Sequence, residues 1–175
     1  AKDVINKLHS EELEKIFKFF GEEKEAKKIA NEIISVRKKK EIDTPTLVNL
    51  IERIKRKKYY KIHSATKVFQ ALRIFVNNEI SELIIGLSKS CNLVSKNGVI
   101  AVVTFHSIED RICKFFFNEL SSLRKVSRYL PIIDANEISF NLVKKKPIIP
   151  TKTEIEKNPS SRSAKLRAIK KIGIN

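Results

Sequence analysis

Apolar residues recur every three or four positions through most of the first 62 residues, the spacing of one face of an α-helix. Leu13, Ile16, Phe17 and Phe20 form the first stripe. Ser10 precedes it as a candidate N-cap, Glu11 and Glu12 fill the first turn where carboxylates suit the positive helix end, and Gly21 stands where a C-terminal cap belongs. A second helix is predicted from about Glu22 to Arg37 on Ala26, Ile29, Ala30, Ile33 and Ile34. Thr44 then Pro45 opens a third, which carries Leu47, Leu50, Ile51 and Ile54 and runs into Lys55, Arg56, Lys57 and Lys58. No strand-like alternation interrupts this segment.

The pattern changes after His63. Phe69, Leu72, Phe75, Val76, Ile80, Leu83, Ile84 and Leu87 predict one long helix from about Ala65 to Leu93, and Asn97-Gly98 is a turn. Val99–Phe105 is a continuous apolar, β-branched run, typical of a parallel strand covered on both faces. Ser107 is a candidate cap for a following helix with Glu109 and Asp110 in its first turn and Ile112, Phe115 and Phe116 on its apolar face. Residues 121–138 read as irregular. Phe140–Ile149 and Ser163–Ile172 read as two closing strands around a short helical piece near Thr153–Lys157. The order is therefore helices, then helix–strand–helix, then two strands: an α/β chain with a helical segment at 1–62 and a mixed segment at 63–175. One central strand cannot make a sheet alone, so part of the sheet is expected elsewhere.

Charge narrows the partners. The formal net charge is +16 and the pI about 9.9. Basic clusters recur at Lys38–Lys40, Lys55–Lys58, Lys144–Lys146 and Lys170–Lys171 rather than in one tail. Such a surface favours a polyanion, because each phosphate neutralised releases counterions; a solvated lysine-rich surface is the plainer alternative. Cys91 and Cys113 have no Cys or His neighbour at ligand spacing, so no metal site is expected, and two reduced thiols suit a cytoplasmic protein. No apolar run approaches the roughly 18 residues of a membrane span, and no signal peptide precedes Ala1. The chain contains no Met, so its true beginning is expected elsewhere.

Four blocks carry a resemblance. They are Phe20–Glu23 with Ala26, Ile29 and Ala30; His63–Ile74 with Asn77, Glu79 and Leu83; Asn97–Ile112, which holds Phe-His-Ser-Ile-Glu-Asp-Arg; and Asn158–Arg167. In this order they resemble the cytosine-N4 methyltransferases of 16S ribosomal RNA, the small subunit methyltransferase H family. The departures are mild: that family usually has Pro at Ser64, Arg at Lys67, Tyr at Phe20 and Gly at Asn97. The resemblance implies the C-terminal portion of a Rossmann-like class I methyltransferase fold, strands five to seven, with a helical insertion domain that recognises substrate. It implies S-adenosyl-L-methionine as cofactor and 16S rRNA in the small ribosomal subunit as partner. It also implies that the chain begins inside the insertion. The four glycines, Gly21, Gly86, Gly98 and Gly173, form no Gly-x-Gly loop after a strand. The donor site is therefore expected in an absent N-terminal half, no residue here is assigned to it, and the chain alone is expected to be inactive; a separate chain carrying that half is a possible partner.

Phe105-His106-Ser107 ends the central strand, the edge where open α/β sheets bind ligands. His106 and Ser107 are the candidate catalytic residues, with His106 able to contact the base, a phosphate or the departing proton; both can equally serve only to shape the turn. Thr66, Gln70 and Arg73 share one helix face. Candidate RNA contacts are Lys55, Arg56, Lys57, Lys58, Lys67, Arg73, Arg162, Lys165 and Arg167, the last two facing one side of a strand. The competing functional class is a non-catalytic, basic RNA-binding or ribosome-assembly module. A helix-turn-helix DNA binder rests on Thr44–Lys57 alone.

Overall fold

The computed structural model describes residues 1–55, 63–121 and 140–172. Two compact units are present, Ala1–Ile80 and Ser81–Asn175. The first contains α1 (Lys2–Lys7), α2 (Ser10–Gly21), α3 (Ala26–Arg37), α4 (Thr44–Lys55) and α5 (Thr66–Val76). The predicted stripes meet in its core: Leu13 and Phe17 of α2, Ile29 and Ile33 of α3, Leu50 and Ile51 of α4, and Val68 and Ala71 of α5 are all at or near complete burial. Each large side chain there contributes about 1.5–3 kcal/mol relative to exposure. Because α5 packs on α2, this unit extends one helix past the change of pattern at His63.

The helix ends differ from the pattern's first reading. The N-cap of α2 is His9, not Ser10, and it forms a reciprocal capping box with Glu12. The left-handed residue after α2 is Glu22, with φ of 49°, so the helix predicted from Glu22 starts at Ala26 instead. Gly21 is required for another reason. A Cβ on it would lie 2.5 Å from the Lys67 carbonyl oxygen, so α2 and α5 can approach only over a bare backbone. The cap of α4 is Asp43, whose Oδ1 accepts the Thr46 N–H at 2.9 Å. The long helix predicted from Ala65 to Leu93 is two helices, α5 and α6 (Glu79–Leu93), separated at Asn77-Asn78. Asn78 adopts φ of 52°, a conformation asparagine tolerates and helices exclude.

The second unit holds most of α6, then β1 (Val99–Thr104), α7 (Ser107–Ser121), β2 (Phe140–Leu142), α8 (Lys152–Lys157), a 3₁₀ turn at Pro159–Ser163 and β3 (Lys165–Lys171). The strand order is β1-β3-β2 and both pairings are antiparallel. Val99 faces Lys170 and Thr104 faces Lys165, while Phe140 faces Lys171. The strand at 99–104 departs from its sequence pattern in two ways. The strand Val99–Thr104 is not covered on both faces: Ile100 and Thr104 are buried, whereas Val99 and Val103 are 54% and 50% exposed. Its one neighbour among the described residues is antiparallel, and β3 rather than β1 is the middle strand. The closing strand expected at 140–149 is only Phe140–Leu142, followed by an isolated bridge from Ile148 to Leu166.

One face of this sheet carries Ile100, Phe140 and Ile169. They pack on Leu87 of α6 and on Cys113 and Phe117 of α7. Lys171 reaches the end of α6, where its Nζ donates to the Cys91 and Val94 carbonyls at 3.1 and 3.0 Å, a cation at a negative helix terminus. Among the described residues no helix is long and apolar enough to cross a membrane.

Candidate functional site

The chain leaves β1 at Phe105 and enters α7 at Ser107, and Glu109 folds back to close that turn. Its Oε2 accepts the backbone N–H groups of Phe105 and His106 at 2.9 and 3.3 Å. In return His106 Nδ1 accepts the Glu109 N–H at 3.4 Å. This is the capping arrangement of His9 and Glu12, where the His9 N–H donates to Glu12 at 2.8 Å. The same His-Ser-x-Glu string encodes both helix starts. The cap of α7 is therefore His106, one residue earlier than the candidate Ser107.

That cap fixes the chemistry left to His106. With Nδ1 taken up by the Glu109 N–H, Nε2 is the ring nitrogen left for another partner. Nε2 lies 3.2 Å from Glu109 Oε1, and the side chain is 9% exposed. Among the described residues, Nε2 is the one buried side-chain polar atom with no hydrogen-bond partner.

Behind the turn, Asp110 ties α7 to β3. Its carboxylate accepts from Arg167 Nε at 2.7 Å and Nη2 at 3.3 Å, and from Lys165 Nζ at 3.1 Å. Burial alone would push the Asp110 carboxyl up, but the hydrogen bonds and charges of Arg167 and Lys165 outweigh it and hold the group below the ordinary carboxylate value. One turn on, burial and then the nearby Glu109 and Asp110 charges push the Cys113 thiol up to about 11. A thiol so placed is a core group and not a nucleophile.

The nine candidate RNA contacts separate into distinct environments. Lys55 is largely buried, its side chain 11% exposed, with its Nζ donating to Glu23 Oε2 and to the Ser64 carbonyl. Arg56, Lys57 and Lys58 lie outside the described residues. Lys67 is exposed and donates to the Glu22 carbonyl at 3.0 Å. Arg73 is exposed and makes a two-pronged pair with Glu79 at 2.8 and 3.1 Å. Arg162 is exposed, Lys165 is partly so, and Arg167, with its side chain 10% exposed, is committed to Asp110. The carboxylate partners of Lys55 and Arg167 stand 32 and 57 positions away, so no local pattern could show these two cations as paired with acids. The lysines at 38–40 and 144–146, by contrast, are exposed.

A capped turn at the end of an apolar strand, on a basic chain of mixed helices and small sheet, defines an α/β protein. Comparison with known proteins makes this specific. A family profile described as the MraW methylase family matches residues 1–172. The curated protein named ribosomal RNA small subunit methyltransferase H from Sinorhizobium fredii is 45% identical over 170 residues, which is 96% of this chain and 50% of that protein. The protein of the same name from Persephonella marina is 43% identical over 175 residues, 98% of this chain and 55% of its own length. That from Bartonella henselae is 46% identical over 169 residues. The chain belongs to the MraW methylase family, and it spans about half the length of the curated relatives it matches.

Proposed function

We propose that this chain is the RNA-facing portion of an enzyme that methylates N4 of a cytosine in 16S ribosomal RNA, with S-adenosyl-L-methionine as the donor. The observation that carries this reading is the family match along residues 1–172, together with relatives named as small-subunit RNA methyltransferases. The α/β organisation supports it. The strand order β1-β3-β2 with both pairs antiparallel is that of strands five, seven and six of a class I methyltransferase sheet, and the helices of residues 1–62 correspond to the insertion.

The residues present do not fit a donor site. The turn after β1 is Phe105-His106, with no glycine to admit a ligand against the backbone. The donor site belongs to the part of the relatives' length that this chain does not span. Methyl transfer to an amino group requires alignment more than proton chemistry. His106, with Nδ1 committed to the cap, keeps Nε2 to hydrogen-bond the base or its phosphate once the entering base displaces what now covers that atom, and so to orient the amino group. Ser107, at the first position of α7, adds the positive helix end. The target base must leave its stack to reach such a pocket. Exposed Lys67 and Arg162 and the partly exposed Lys165 meet phosphates, as do Lys38–Lys40 and Lys144–Lys146, whereas Arg73 is turned to Glu79.

The test is complementation. Cells lacking the coding region for this chain should lose N4-methylated cytidine from digested 16S rRNA, measured by mass spectrometry, and the wild-type sequence should restore it. His106→Asn keeps an acceptor at the cap but removes Nε2. The variant should fold and accumulate normally yet restore little of the methylated base. If His106→Asn restores full methylation, His106 is a cap and nothing more; if the deletion leaves the methylated base unchanged, the proposed activity is wrong.

A further inference from the structure

A cavity of about 470 Å³, widely open to solvent, lies between Val48 of α4 and the first two turns of α5, within the first compact unit. Its size is that of a small-ligand cleft, about 300–1,000 Å³. Val48 and the half-buried Phe69 give it an apolar wall, and His63, Thr66, Gln70 and Arg73 supply its polar groups.

The hydrogen bonds around it say which ligand chemistry it suits. Gln70 Nε2 donates to the Phe20 carbonyl at 3.3 Å, which fixes the orientation of the amide. One N–H and the whole of Oε1 remain, an adjacent donor and acceptor. His63 is held on both sides: Nδ1 accepts the Ala65 N–H at 3.2 Å and Nε2 lies 3.3 Å from Glu52. Arg73 is turned to Glu79 through Nε and Nη2. The two basic side chains of the cavity are therefore offset by carboxylates, which disfavours an anion. An apolar wall beside a fixed donor–acceptor pair suits a flat heterocycle with a hydrogen-bonding edge.

We propose that this cavity receives a single unstacked base of single-stranded RNA, its face against Phe69 and Val48 and its edge on the Gln70 amide. This deepens the RNA-substrate reading and rests on it. Recognition of this kind, stacking plus edge hydrogen bonds on a splayed base, is the usual way proteins read single-stranded RNA. It assigns Gln70 a role in affinity that owes nothing to the chain's charge.

Fluorescence anisotropy of the full chain with a short labelled single-stranded RNA tests it, with Val48→Trp to fill the cavity and Gln70→Leu to remove the edge contact. Each should weaken binding about tenfold, the scale of one lost base contact. The slope of log affinity against log salt should stay as in wild type, because no phosphate contact is lost. As a check independent of variant folding, titrating cytidine or adenosine into the wild-type chain should shift the backbone amide resonances of Ala65–Arg73. Folded variants that bind like wild type, or nucleosides that leave those amides unmoved, overturn the cavity assignment while leaving salt-dependent RNA binding intact. A wild-type chain that does not bind RNA overturns the RNA reading itself, and the cavity assignment with it.

Discussion

Asp110 is one carboxylate facing two cations of a single strand, Lys165 and Arg167. Removing its charge leaves a largely buried guanidinium without a counter-ion, the situation that makes broken buried pairs costly. Lys165 is partly exposed and recovers hydration, so Asp110→Asn should cost about 2–3 kcal/mol, below the roughly 3–5 kcal/mol of a fully buried pair that loses one partner. The pH dependence follows from the lowered pKa of Asp110. A depressed carboxyl contributes stability that is fully present above its unfolded value of about 4 and is lost as pH falls through its folded value. Urea unfolding should show a constant gap between wild type and Asp110→Asn from neutral pH down to about 5, closing progressively in more acid solution. A gap that widens with acid would mean that the carboxylate is not what the cations stabilise. The buried pair of Glu23 and Lys55 has the same logic in the first unit, joining the segment after α2 to the end of α4.

Glycines separate two kinds of constraint at the level of elements. Gly21 and Gly86 both lie on helices, but a Cβ at Gly21 meets the Lys67 carbonyl oxygen at 2.5 Å, while one at Gly86 meets nothing within 4 Å. Gly21→Ala should therefore force α2 from α5 and destabilise by about 1–3 kcal/mol. Gly86→Ala should stabilise by about 0.5–1 kcal/mol through helix propensity alone. Chemical denaturation of the two variants should give opposite signs, and equal signs would contradict the packing of α2 on α5. Much at this scale was legible in the sequence: the stripes of α2, α3 and α4 are the observed core, because a 3.6-residue period states which face is buried. The ends were less legible. Ser10 and Ser107 look like caps by residue type, yet the preceding histidines cap, since a ring nitrogen with a glutamate three residues on does the same task. The break at Asn77-Asn78 was hidden because apolar spacing continues across it; the paired asparagines were its only local mark. The strand-end turn could be located from Phe105-His106-Ser107, but the fate of Arg167 and Lys55 depends on contacts far along the chain.

At the scale of the whole molecule the sheet has an edge that its residue types do not suit. The Leu166 N–H and carbonyl exchange hydrogen bonds with Ile148, and the Lys171 N–H donates to the Gly98 carbonyl. In an antiparallel ladder such contacts alternate, so the register of β1 on β3 directs the N–H groups of Ile100, Val102 and Thr104 to β3 and those of Val99, Ala101 and Val103 outward. Outward there is no strand among the described residues, and the side chains of Val99 and Val103 are half exposed. An unprotected edge of β-branched residues is normally avoided, because it templates pairing with another chain. On the proposed reading this edge takes a further strand, and the open face a further layer, from the part of the relatives' length that this chain does not span. Hydrogen exchange on the isolated chain should therefore show an alternation: slow amides at Ile100, Val102 and Thr104, fast ones at Val99, Ala101 and Val103. Adding a polypeptide that carries the remaining length of a relative should slow the second set and raise solubility and Tm together. Uniformly slow exchange from Val99 to Val103 in the isolated chain would show that β1 already has two neighbours, and the proposal that its sheet is completed from outside this chain would fail.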